Sequence, residues 1–113
     1  MADPRELLVA ERAEALAQVA ALEREFAGIA EAAGSAGTDD EHDPEGATLA
    51  VERQHTAALL RAARERVAAI DAALGRLRDG SYGVCARCGH PIGAGRLAAR
   101  PAALTCIRCA ARG

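Results

Sequence analysis

Two long apolar seams constrain this chain more than any other feature. Leu8, Arg12, Ala15, Val19, Leu22, Phe26, Ile29 and Ala33 alternate steps of four and three residues, and all but Arg12 are apolar. Leu49, Arg53, Thr56, Leu60, Ala63, Val67, Ile70, Leu74 and Leu77 repeat the alternation. A mean step of 3.5 residues keeps side chains on one stripe of an α-helix, the stripe that faces a partner helix, so each stretch predicts one long helix of a coiled coil. The second predicts roughly 34 residues, about 50 Å of helix.

The punctuation agrees with the periodicity. Asp3 before Pro4 and Glu6 offers an N-cap, a proline in the first turn and an acid against the helix dipole. Asp43, Pro44 and Glu45 repeat that start, while Gly34-Ser35-Ala36-Gly37-Thr38 and Asp79-Gly80-Ser81 read as stops. Gly28 inside the first helix costs about 1 kcal/mol against alanine. Helices joined by so short a link must run antiparallel, with their seams face to face. Half of the residues are apolar, but alanine dominates that half, with Trp 0, Tyr 1 and Phe 1. Alanine favours helix and buries little area, so long helices side by side are expected rather than a thick core. Something other than apolar burial must then hold the short remainder together.

That remainder contains all four cysteines. Cys85-Ala86-Arg87-Cys88 and Cys106-Ile107-Arg108-Cys109 are two C-x-x-C pairs separated by 17 residues, a spacing suited to a four-cysteine zinc site. Two intervening residues let one turn aim both sulfurs at an ion about 2.3 Å away, and the longer segment folds back to bring in the second pair. Gly89 suits the turn after Cys88. Four thiolates fill a tetrahedron, so one structural Zn²⁺ is expected and no catalytic one. A redox C-x-x-C would want a strand-helix-strand context, and paired disulfides an oxidising compartment. His90 is read as a surface histidine. Ile92 and Leu97 are the expected apolar plugs beneath the metal, and Arg96 and Arg100, four apart, are expected on one face of a short helical turn. The fold class is thus mainly all-α: an antiparallel two-helix coiled-coil hairpin over residues 1–79, with a tip loop at 34–46, followed by a small four-cysteine zinc finger over residues 80–113.

Charge is segregated along the chain. Net charge is −2, yet Asp39, Asp40, Glu41, Asp43 and Glu45 crowd the tip loop, whereas Gly80 onward holds five arginines and no acid. Alone, such an acidic loop reads as solvated. The balance does not suggest a general nucleic-acid binder. No apolar run is long enough to span a bilayer, and the first residues lack the apolar core of a signal peptide, so a cytoplasmic protein with no membrane contact is expected. Arg87, Arg96, Arg100 and Arg108 are candidate contacts for an acidic partner or for phosphate.

The string Gly80-Ser81-Tyr82-Gly83-Val84-Cys85, continued by Cys88-Gly89, Ile92, Arg96-Leu97, Pro101 and Cys106-Ile107-Arg108-Cys109-Ala110, resembles the finger of the DksA/TraR zinc-finger family. DksA-like members place an antiparallel coiled coil ahead of that finger. The resemblance implies a transcription regulator that binds RNA polymerase rather than specific DNA sequences. It implies a coiled coil in the polymerase secondary channel, an acidic tip near the active site, and no enzymatic activity. On this reading Asp39, Asp40, Glu41, His42, Asp43, Glu45 and Ala47 form the functional tip. The tip departs from the family's D-x-x-D-x-A pattern. Counting back from Cys85 puts His42, Glu45 and Ala47 on it, and counting by acids puts Asp40, Asp43 and Glu45 there. The resemblance also names ppGpp as a candidate effector, which would need basic groups such as Arg61, Arg64 and Arg66 on the second helix. Gly113 lies four residues past Cys109, which leaves the C-terminal helix of longer members absent or very short.

Two other classes follow from the residues themselves. One is a nucleic-acid-binding zinc module that uses the finger arginines on phosphates. It predicts steep salt dependence, and the shortage of aromatic side chains gives it no stacking platform. The other is a structural coiled-coil adaptor, in which the acidic loop is dispensable.

Overall fold

The computed structural model describes residues 3–35 and 44–113, without the side chains of residues 33–35 and 44–45. Four helices follow one another: α1, Pro4–Ser35; α2, Pro44–Asp79; α3, Ala94–Ala99; and α4, Ile107–Ala111. Among the described residues the only β pairing is an isolated antiparallel bridge between Val84 and Pro91. Helical structure reaches further into the expected tip loop from both sides, since Gly34 and Ser35 belong to α1 and Pro44, Glu45 and Gly46 to α2.

The helix ends form as the sequence chemistry requires. Asp3 caps α1, its Oδ1 accepting the Arg5 amide at 3.2 Å while its carbonyl accepts the Leu7 amide at 3.1 Å. At the end of α2, Gly80 takes φ of 84°, which turns the chain back so that the Ser81 amide reaches the Arg76 carbonyl at 3.0 Å. This is the six-to-one bond of a Schellman stop, and glycine is the residue that reaches that backbone region without strain. Asp79 closes the turn by accepting both the Ser81 amide, at 3.0 Å, and its hydroxyl, at 2.6 Å. Those bonds hold the Asp79 carboxyl below its usual range, the hydroxyl contributing most.

The chain forms two compact units, one joining Met1–Glu14 to Arg66–Gly113 and the other comprising Ala15–Glu65. In the second, Leu22, Leu60 and Ala63 form a buried cluster with Val19 packed against it. The Glu23–Arg64 ion pair, at 3.2 Å, and the Arg53 guanidinium 5.3 Å from the Phe26 ring centroid run in opposite directions along α1 and α2, as antiparallel helices require. In the first unit Leu8, Ile70 and Ala73 are fully buried, and Arg12 donates from Nε and Nη2 to the two carboxylate oxygens of Asp71.

Every described side chain of the α1 seam is at least partly buried, with Leu8, Ala15 and Leu22 most so. Two charged seam positions are explained by what they reach. Arg12 pairs with Asp71 across the helices, and Arg53 lays its cation over an aromatic face. Ala73 was not on the seam read from sequence, yet it is fully buried while Leu74 is only half-buried.

Candidate metal centre

The finger begins where α2 stops. Gly83, with φ of 86°, turns the chain so that its carbonyl accepts the Ile92 amide at 2.8 Å. The Cys85 amide then reaches the His90 carbonyl at 2.8 Å. Between these bonds the first cysteine pair sits on a tight turn: the Gly89 amide returns to the Cys85 carbonyl at 2.9 Å, and Gly89 takes φ of 76°. The glycine expected after Cys88 is therefore required by the backbone. The second pair straddles the start of α4. Cys106 occupies its N-cap position and Cys109 lies within it, and an Ala86 amide bond of 3.0 Å to the Leu104 carbonyl ties the two segments together.

These turns bring the four sulfurs of Cys85, Cys88, Cys106 and Cys109 within 4.8 Å of one another. A tetrahedron of sulfurs around an ion at about 2.3 Å has edges of roughly 3.8 Å. Cys88 Sγ and Cys106 Sγ lie 3.8 Å apart. The donor set, the count and the spacing fit one structural Zn²⁺, which the four cysteines are positioned to hold. Cys85, Cys106 and Cys109 are buried with Ile92, and Leu97 and Ala103 pack against them. Ile92 and Leu97 thus plug the site as expected. Cys88 is the exposed ligand, and His90 is exposed and outside the sulfur cluster.

The backbone prepares the sulfurs unequally. Amide groups of Cys106, Cys88 and Arg87 point at Cys85, the Cys106 amide most strongly, and lower its thiol to about 5. Cys106 is lowered too, chiefly by the Cys109 amide. Cys109 is pushed up to about 12, first by desolvation and then by the other three sulfurs. Metal binding requires all four as thiolates, so it is coupled to loss of their protons.

Side chains support this frame through backbone carbonyls. Tyr82 Oη donates to Pro101 O at 2.7 Å, and Arg76 Nη2 approaches Ala102 O at 3.5 Å. Arg96 Nε donates to Thr105 O at 2.8 Å, and Arg87 Nη1 to Cys109 O at 3.2 Å. Arg100 and Arg108 are exposed and have no side-chain bond among the described residues. Arg96 and Arg100 do not share a helical face, because α3 ends at Ala99 and Arg100 turns to φ of −136° and ψ of 81°. Pro101 is the cause, since the residue before a proline is driven out of the helical region. Tyr82 and Arg76 were not read as supports from the sequence. Tyr82 stood only in the family-like string, and nothing local to Arg76 marks the carbonyl it faces, 26 residues away.

Of the tip positions, Asp39, Asp40, Glu41, His42 and Asp43 lie outside the described residues, as does the side chain of Glu45. Ala47 is an exposed residue of α2. Arg61, Arg64 and Arg66 are exposed along α2, with Arg64 paired to Glu23. No helix among the described residues is long and apolar enough to cross a membrane.

Comparison with known proteins adds three findings. Residues 80–112 match the prokaryotic dksA/traR C4-type zinc finger. Over 49 residues the chain is 47% identical to the RNA polymerase-binding transcription factor DksA of two Caulobacter vibrioides strains, a match covering 43% of this chain and 34% of each relative. The matched stretch therefore spans about a third of those relatives. The structure is also similar to that of transcription factor DksA2 from Pseudomonas aeruginosa, with a TM-score of 0.79 at 31% identity, covering 96% of this chain and 78% of that one.

Proposed function

This chain belongs to the DksA/TraR family of zinc-finger proteins, and from that premise we propose that it is a transcription regulator that binds RNA polymerase directly and has no catalytic activity of its own. Its helical hairpin enters the polymerase secondary channel, bringing the acids between Asp39 and Glu45 toward the active site, where they alter initiation. The observation that supports this reading best is the likeness to DksA2 along 96% of the chain, which extends beyond the finger to the hairpin. Arg100 and Arg108, exposed and without a side-chain bond among the described residues, are available to an acidic polymerase surface. The polymerase, not a particular DNA sequence, is the partner, and the cytoplasm the place of action. The alarmone ppGpp is a further candidate partner, with Arg61, Arg64 and Arg66 its candidate contacts.

A pull-down against core RNA polymerase tests the reading first. Retention at physiological salt supports it. Absence of retention, with binding to bare nucleic acid that falls steeply in salt, replaces it by the nucleic-acid module. Replacing Asp40, Asp43 and Glu45 together with alanine then tests the tip. Polymerase should still bind while the transcriptional effect disappears, and an unchanged effect would discard the tip mechanism. A cleavage assay on stalled complexes separates this from a hairpin whose acids hold a second Mg²⁺ for transcript cleavage.

A further inference from the structure

Five arginines occupy the finger, and two of them reach back to backbone carbonyls at related places. Arg87 stands between the two ligands of the first pair, and its Nη1 donates to the carbonyl of Cys109, the last ligand of the second, at 3.2 Å. Arg96 stands in the segment between the pairs, and its Nε donates to the carbonyl of Thr105, the residue before Cys106, at 2.8 Å. One arginine thus grips each end of the second cysteine pair, and each grips it from a different part of the finger. Among the described residues, Arg100 and Arg108 make no comparable side-chain bond.

The chemistry of the site gives these contacts a purpose. The finger's buried cluster is small, consisting of three sulfur donors and Ile92, so apolar packing alone defines the second pair poorly. A bound Zn²⁺ with four thiolates also carries a net charge of −2, which nearby guanidinium groups offset without competing for the metal. Arginine suits both needs, because it stays charged and its planar N–H groups lose little freedom on binding a carbonyl.

We infer that Arg87 and Arg96 are positioning residues of the zinc site, which lock the second cysteine pair against the first and slow the loss of the metal, rather than contacts for a partner. This divides the finger arginines by their bonds: Arg87 and Arg96 donate to carbonyls of the metal frame, while Arg100 and Arg108 make no side-chain bond among the described residues, Arg108 lining the hollow beside Cys88, Cys106 and Cys109. The assignment holds whatever the finger docks against, so its failure and that of the polymerase reading are distinguishable.

The test uses the full chain, loaded once with Zn²⁺ and once with Co²⁺, in five forms: unchanged, Arg87→Ala, Arg96→Ala, Arg100→Ala and Arg108→Ala. Zinc transfer to a colorimetric chelator gives the release rate, and the visible bands of tetrahedral Co²⁺ report ligand geometry. Arg87→Ala and Arg96→Ala should release zinc about 10 to 100 times faster, the usual consequence of losing an outer-shell partner, and should alter the cobalt bands. Arg100→Ala should do neither, and Arg108→Ala, which removes a cation beside the sulfurs but no bond to the frame, should speed release less than Arg87→Ala or Arg96→Ala. Arg87→Lys and Arg96→Lys, which keep the charge and one donor, should recover most of the loss. If Arg96→Ala fails to load cobalt while Arg100→Ala loads it, that is the expected effect at its limit. Release at the unchanged rate in Arg87→Ala, or equal acceleration in all four alanine variants, would overturn the inference.

Discussion

In the unit Ala15–Glu65 the buried cluster is Leu22, Leu60 and Ala63, carbon groups from two helices that meet along a repeating seam. In the finger three of the four clustered residues are sulfur donors, and Ile92 is the only large aliphatic among them. The hairpin spreads its stabilisation over many small contacts, so no single residue holds it. The finger concentrates stabilisation at one point and surrounds it with directed hydrogen bonds to carbonyls at 101, 102, 105 and 109. A chain short of aromatic and long aliphatic groups can thus reach a defined fold in two ways. It can repeat a weak contact along a helix, or it can bind a metal strongly at one place.

Metal removal should break the comparison most visibly. Structural zinc contributes on the order of 10 to 16 kcal/mol in isolated fingers, so a strong chelator should abolish order around the four cysteines. Amide hydrogen exchange would read this. The Cys85, Ala86, Gly89 and Ile92 amides, bonded to carbonyls in the finger, should lose protection, while amides within Ala15–Glu65 keep most of theirs. Simultaneous loss everywhere would show that the two regions are not energetically separate.

The next largest effect should come from the seams. Leu8 is 0% exposed and Leu22 7%, so alanine at either position removes buried methyl groups and leaves space behind. A cost of about 3 to 5 kcal/mol is expected for Leu8→Ala and about 2 to 3 kcal/mol for Leu22→Ala, measured by urea unfolding. An equal cost at both positions would show that the difference in burial does not set the loss.

Two glycine-to-alanine changes should have opposite signs. At Gly28 an added Cβ meets nothing within 4 Å and the backbone is not in the positive-φ region. Gly28→Ala should therefore stabilise by about 0.4 to 1 kcal/mol. Gly80 has equal space but φ of 84°, so Gly80→Ala should destabilise by about 1 to 2 kcal/mol. Thermal melts of both variants against the unchanged chain would decide.

The smallest effect belongs to the Arg12–Asp71 pair, whose side chains are 39% and 48% exposed. The Arg12 hydrogen bond is the main reason the Asp71 carboxyl lies below its usual range. Its contribution is therefore complete above the unfolded carboxylate pKa, near 4, and is lost as pH falls through the lower folded value. Asp71→Asn should flatten that acid limb slightly, and added salt should shrink the difference.

Much of this architecture was legible because the signals are local. The helix starts at Asp3-Pro4 and Asp43-Pro44, the stop at Asp79-Gly80, the seams and the two cysteine pairs each follow from residues close in sequence. Helical period, capping and metal-ligand reach all act over a few residues. The bounds Pro4–Ser35 and Pro44–Asp79 follow from that chemistry. The family-like finger string added the likeness that the matches over residues 80–112 and to DksA2 bear out.

What only the tertiary structure decided are the choices between residues of one type. Ala73 is buried more deeply than Leu74, Arg12 found Asp71 and Arg53 found Phe26. Arg87 and Arg96 found backbone carbonyls, while Arg100 and Arg108 found no side-chain partner among the described residues. An arginine has the same local propensities in either role. The difference lies in which carbonyl, carboxylate or ring the folded chain places within its reach, and that partner comes from a segment distant in sequence. The sequence by itself determined two seamed helices and a four-sulfur staple, because period and spacing are properties of neighbours. Side-chain partnership is a property of register between segments, and it exists only once they have met.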